Sequence, residues 1–211
     1  MNLMYNFHMT AKQNKRRTQT ERSRASKEKI IQAATKFFAE KGYRGATLAD
    51  IAQAANLSEA GLIHHFPSKS HLLMAVLTER DRVDRERFDP RKPDSQGNIL
   101  SSFKNLVTHN ESVPGLVQLF TTLVAESIYE QHPGHAFFIH RYQNTRNEAI
   151  EGILLGQADG SIRTDISAAH LITMLYAMMD GLQIQWLLEP ETINMSAIFT
   201  AFVGLLETPK E

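Results

Sequence analysis

The sequence predicts an all-α protein with two helical parts. An N-terminal three-helix domain with a connecting helix comes first, then a C-terminal bundle, for about nine helices in all. Three observations predict this. Apolar residues recur three and four apart from Ile30 to Leu206. No stretch alternates convincingly with the period of two that a half-buried strand needs. Pro114, Pro133 and Pro190 fall at expected helix starts or between helices, where the missing N–H costs least.

Residues 1–23 are polar and basic and read as a flexible arm, merging into a helix near Ser23 or Ser26. Ile30, Ile31, Ala34, Phe37 and Phe38 mark one face of that helix. Ser26 is its expected N-cap and Gly42 its stop. Thr47 caps the next helix, with Asp50 at the capping-box position and Leu48, Ile51, Ala52 and Ala55 as its apolar face. Asn56 suits a tight turn because it tolerates the left-handed conformation. Ser58 then caps a very short helix to His65, and Pro67 breaks it. Ser68 caps a longer helix with the stripe Leu72, Leu73, Val76 and Leu77, ending before Pro90. The Pro/Gly/polar stretch Asp89–Asn98 divides residues 24–88 from 89–211. Beyond it, helices are expected over about 97–109, 113–131, 134–157, 167–188 and 193–207.

The 211 residues carry 23 basic and 23 acidic side chains, but unevenly. Residues 1–88 hold 7 lysines and 9 arginines against 9 acids, a net +7; residues 89–211 hold 3 lysines and 4 arginines against 14 acids, a net −7. Such asymmetry suits a nucleic-acid-binding end joined to a different module. At 42% hydrophobic residues the chain can build a core, which argues against global disorder. Without cysteine it has no disulfide, thiolate metal site or cysteine nucleophile. No apolar run is expected to span a bilayer: Ile162–Leu188 is interrupted by Arg163, Asp165, His170 and Asp180. Lys12, Lys15, Arg16 and Arg17 stand where a signal peptide would have its apolar core. A cytoplasmic setting without a membrane partner is expected. Met4 and Met9 are alternative starts, so the choice between Met1 and Met9 stays open.

Two short helices, Thr47–Ala54 and Ser58–His65, joined by Ala55–Leu57, have helix-turn-helix spacing. Ala52 is small where the helices cross. Leu57 and Leu62 face inward, leaving Glu59, Ala60, Gly61, His64 and His65 toward the exposed side. Small residues at the start of the second helix let its backbone approach DNA, and its N–H groups suit phosphate oxygens. Arg44 adds a phosphate-contact candidate by charge, and Lys15, Arg16 and Arg17 a basic arm.

Ala46 to Val76, ATLADIAQAANLSEAGLIHHFPSKSHLLMAV, resembles the DNA-binding domain of the TetR (tetracycline repressor) family. The characteristic parts are Phe37–Ala39, Gly42, Thr47, Ile51–Ala52, HHFPSK ending at Lys69, and Leu72–Leu73. The resemblance is specific over Lys27–Leu77 and weaker later, where Asp180–Pro190 resembles the penultimate helix of some members. Asn56 stands where the family often has Gly, and Ile63 and His64 where it often has Tyr. The resemblance implies a dimeric transcription regulator, mostly a repressor released by a small ligand. By position it places Thr47 on phosphate, Ser58, Glu59, Ala60, Gly61 and His64 at bases and backbone, and His65 and Lys69 on phosphates. Glu59 near a base edge suits a cytosine amino group, or else it complements its helix N-terminus.

The acidic half carries Phe103, Phe120, Phe137, Phe138, Tyr142, Met174, Met178 and Trp186 at helical spacings. Each is either ordinary core or part of a largely apolar ligand pocket between helices, with Tyr176 and Gln183 as orienting polar groups. Leu171, Leu175, Met178, Leu182, Ile198, Phe202, Leu205 and Leu206 exceed what one bundle face needs. The last two helices are therefore expected to form a homodimer, as the resemblance also implies. A two-fold dimer sets two recognition helices about 34–36 Å apart on a palindromic operator. His132, His135 and His140, near Glu126 and Glu130, leave a second reading, a helical metal-assisted enzyme, against helix capping at a bend. No nucleophile elbow, phosphate loop or HExxH pattern supports an enzyme, and no cofactor is expected. An activator of the same fold is the third option, since it would use the same DNA contacts. Effector, operator and regulated genes stay open.

Overall fold

The computed structural model describes residues 18–87 and 98–208. Among them are nine helices: α1 (Gln19–Gly45), α2 (Leu48–Ala54), α3 (Glu59–His65), α4 (Lys69–Arg87), α5 (Ile99–Glu111), α6 (Pro114–Glu126), α7 (His135–Ala158), α8 (Ala168–Leu188) and α9 (Met195–Gly204). The all-α expectation holds: the only strand-like pairing described is a single antiparallel bridge between Ile162 and Glu207.

Most caps are local and fall where the sequence puts them. The hydroxyls of Thr47, Ser58 and Ser68 accept from the N–H of Asp50, Gly61 and His71. The start of α1 is a correction. Its N-cap is Thr18, not Ser26: Thr18 and Glu21 form a reciprocal capping box, so residues 19–23 of the expected arm are helical. The rest of that arm, with Lys15, Arg16 and Arg17, and the connector from 88 to 97 lie outside the described residues. A second correction is α6, which ends at Glu126 rather than near 131. Ser127 caps it, and a turn runs to Gly134 before α7 starts at His135. Gly42 interrupts the helix as expected: at φ 66° and ψ 179° its backbone is not helical, and residues 43–45 follow beyond the kink.

Two cores result. The first joins Ile30, Ala34, Phe38, Ile51, Leu62, Leu72, Leu73 and Leu77 to Leu119, Phe120 and Leu123 of α6 and Phe138 of α7. The DNA-binding domain is thus packed directly onto the bundle, with α1 lying along α6. The second core takes in α5, α7, α8 and α9, with Leu171, Leu175, Trp186 and Phe199. The expectation that no segment could span a bilayer needs correcting. By length and composition α8 is apolar enough to do so, although eight of its residues, among them Leu171 and Leu182, are buried in this core.

Candidate functional site

The turn between α2 and α3 begins with a helix-ending motif. Leu57 N–H donates to the Ala52 carbonyl and Asn56 N–H to the Gln53 carbonyl, with Asn56 left-handed at φ 57°. This double closure fixes the angle between the helices. Leu62 is fully buried and Ala52 nearly so, which anchors α3 by one face. Ser58, Glu59, Ala60 and His64 are exposed, and Gly61 and His65 are half-buried. A methyl group at Gly61 would stand 3.3 Å from the Ser58 hydroxyl, so its smallness also protects the cap. Thr47 and Arg44 are exposed beside this face.

The His65 ring lies edge-on to His64, and burial, then the charges of His64 and Lys27, lower its pKa below the usual histidine value. The charge of Lys27, exposed on α1, is thus felt at His65. Sequence reasoning missed it because its direction from α1 depends on how α1 packs.

Lys69 is more embedded than a purely phosphate-gripping residue. Its Nζ donates to the Arg44 carbonyl at 3.2 Å and lies 4.7 Å from the centre of the Tyr43 ring. Burial lowers its pKa, opposed by Glu126. Glu126 accepts the Tyr43 N–H at 2.7 Å, which ties the end of α6 to the kink of α1.

The histidines do not form one site. His132 and His135 meet around Ser127: His132 Nδ1 is 2.8 Å from the Ser127 hydroxyl and accepts the Gly134 N–H, and His135 Nδ1 is 2.8 Å from the Ser127 carbonyl. His140 is exposed further along α7. Among the described residues no three histidines, aspartates or glutamates are grouped to hold a metal. The rings brace the α6–α7 turn.

A cavity of about 70 Å³ lies between α4, α5, α6, α7 and α8. Of the aromatic and methionine candidates, Phe103, Phe120 and Tyr176 line it, as does Gln183. The others do not. Phe138 belongs to the first core, and Trp186 and Met178 pack in or against the second. Met174 is 39% exposed. Phe137 lines an outer groove between α4 and α7, and Tyr142 donates to Asp180 at 2.7 Å beside the cavity. What the sequence did not reveal is the charge in the wall: Arg80, Asp81, Arg85, Arg141 and Glu148. Asp81 Oδ1 lies 2.9 Å from Arg141 Nε and 3.3 Å from Arg80 Nη1. Both guanidiniums sit on the Phe120 ring, 4.3 and 4.6 Å from its centre. Burial works to lower the Arg141 pKa, but Asp81 outweighs it and holds the value up. Asp180 is pushed up by burial, with Tyr142 and the two arginines opposing. The lining remains mostly apolar, as expected, with this charged cluster added on one side.

Together, a helix-turn-helix with its second helix projecting and a helical bundle with an inner cavity define a DNA-binding transcription regulator rather than an enzyme. Residues 30–76 match the model of the bacterial regulatory proteins, tetR family. The chain is 41% identical over 83 residues to the HTH-type transcriptional regulator CymR of Pseudomonas putida, a match covering 36% of this chain and 41% of CymR. It is 26% identical over 160 residues to the HTH-type transcriptional repressor AcnR of Corynebacterium glutamicum, covering 74% and 79%. In fold it is similar to a putative transcriptional regulator from Saccharomonospora viridis in complex with choline, with TM-score 0.74, 23% identity and coverage of 91% and 100%. Over residues 30–76 the chain is thus similar to the DNA-binding part of tetR-family regulators, and the rest of it shares their fold.

Proposed function

We propose that the protein is a homodimeric repressor that binds a palindromic operator and leaves it when a small molecule fills the inner cavity. It acts in the cytoplasm. The observation that carries this is the projecting face of α3, held from behind by buried Leu62 and capped by Ser58. Ser58, Glu59, Ala60, Gly61 and His64 enter the major groove, while Arg44, Thr47, His65, Lys69 and Lys27 flank it toward phosphates. Residues up to about 88 form the DNA-binding unit, and those beyond form the effector and dimer unit.

Dimerisation through α8 and α9 is supported by a face the protomer leaves uncovered. On α8, Met174, Ile184 and Leu188 are exposed, with half-buried Met178 and Gly181 between them. On α9, Ile198 and Leu205 are exposed. Leu171, Leu175, Leu182 and Leu206, expected at the same interface, are instead core. A methyl group at Gly181 or Gly204 would meet nothing, so a partner helix has room to approach. The repressor named among the relatives and the choline-bound structure sharing the fold support the repressor and effector roles.

The test is selection of bound DNA from a random pool. The expected winner is a palindrome whose affinity for the protein falls steeply with salt, because phosphate contacts release counterions. Binding without sequence preference would count against the proposal.

A further inference from the structure

Asp81, Arg85 and Arg141 line both the inner cavity and the outer groove between α4 and α7, and the Asp81–Arg141 bond lies where the two adjoin. The inner wall carries three arginines, Arg80, Arg85 and Arg141, against two carboxylates, Asp81 and Glu148. Asp81 is held by two guanidiniums at once. The opposite wall is apolar, with Phe103, Leu106 and Met179. Gln183 lines the same cavity at 2% exposure, and its Oε1 has no hydrogen-bond partner in the protein. An unmet buried acceptor is destabilising, and a ligand N–H or O–H would satisfy it.

We propose that the effector is an organic anion, a carboxylate on an apolar body that also carries a hydrogen-bond donor. This rests on the effector-responsive function proposed above and names the ligand class for it. The effector's carboxylate takes the place of Asp81 on Arg141 and Arg80, its body lies on Phe103, Leu106 and Met179, and its donor meets Gln183. The exchange keeps a carboxylate on the buried guanidiniums, so no charge is stranded. Displaced Asp81 turns into the outer groove, which Arg82 and Arg85 also line. A cationic ligand would instead bring its charge among three guanidiniums. At about 70 Å³ the cavity is also well below the roughly 300 Å³ that a drug-sized ligand fills. Parting Asp81 from Arg141 joins it to a groove of about 800 Å³. The same step cuts a direct tie between α7 and α4, the helix that follows the recognition helix. Ligand binding and release of DNA thereby become one event.

The experiment uses the full chain on its selected operator, followed by fluorescence anisotropy, with calorimetry on the chain alone. The probes are matched sets: octanoate and 4-phenylbutyrate, their primary amides, and trimethylammonium analogues with the same bodies. Carboxylates should bind and release DNA at concentrations roughly tenfold or more below the amides, and the cations should do neither. Arg141→Gln should abolish this preference. Because that variant removes one of the two guanidiniums that hold Asp81, Asp81→Asn is the second one. It should fold, bind carboxylates more tightly than the parent, and hold the operator less tightly without ligand. Preference for amides or cations, no preference, no binding in any series, or an Asp81→Asn chain unchanged in both respects would overturn the proposal. A chain that fails to bind any selected operator overturns the regulator reading instead, and calorimetry still reports the ligand class.

Discussion

Asn56 shows how much one side chain settles. It holds φ 57° between α2 and α3, a conformation costing most residues about 1–2 kcal/mol. Asn56→Ala should lower unfolding free energy by about that amount in urea titration, and Asn56→Gly should be neutral or stabilising. His132 makes a pH prediction. The Gly134 N–H can only donate, so His132 Nδ1 must accept, and the neutral ring carries its proton on Nε2. Protonation would point a second N–H at Gly134. Burial lowers the pKa in the fold, with Glu126 opposing and Arg44 assisting. The unfolded chain therefore binds the proton more readily, and stability falls as pH drops below about 6.5 toward the lowered value. Thermal melts at about pH 7.5 and 5.5 should show this loss, and His132→Gln should shrink it. Asn56 and the caps at Thr47, Ser58 and Ser68 were legible in the sequence because their partners are within five residues. Arg141 and Lys27 were not, because their partners come from other helices.

Gly42 and Glu126 make the clearest element-scale junction. A Cβ at Gly42 would lie 2.6 Å from Glu126 Oε1, and Gly42 has positive φ. Gly42→Ala should cost about 2 kcal/mol, within the usual range for such strain, and adding Glu126→Ala should recover only the part due to the clash. A double-mutant cycle on unfolding free energy separates the two. The elements themselves were largely readable from helical periodicity, but two boundaries were not. The arm hid a capping box at Thr18 and Glu21, and the α6–α7 turn depends on side chains of His132 and His135 folding back on Ser127. α8 misled in another way. It is apolar on more than one face, so period alone could not tell the core face of Leu171 and Leu175 from the open face of Met174 and Ile184.

At the scale of the whole molecule, the +7 and −7 halves divide the work. On the proposed function the positive half would meet phosphate, and like charge would keep the negative half away from it. The fold class and the recognition helix were legible because both rest on local pattern. The cavity's chemistry was not, since its five walls come from five helices. If the open face of α8 and α9 is the dimer seam, Ile184→Glu with Ile198→Glu should give a folded monomer by light scattering and circular dichroism. That monomer should bind an intact palindrome no better than a half-site. The most direct measurement is the affinity of the parent chain and of Ala60→Glu for the selected palindrome and for the same bases scrambled. Ala60 is exposed at the front of α3, so its replacement leaves the core alone and sets a new carboxylate against DNA. The parent should prefer the palindrome about 1000-fold or more, and Ala60→Glu should lose that binding while melting at the parent's temperature. Equal affinity of the parent for both DNAs, or an unchanged Ala60→Glu, would contradict the account.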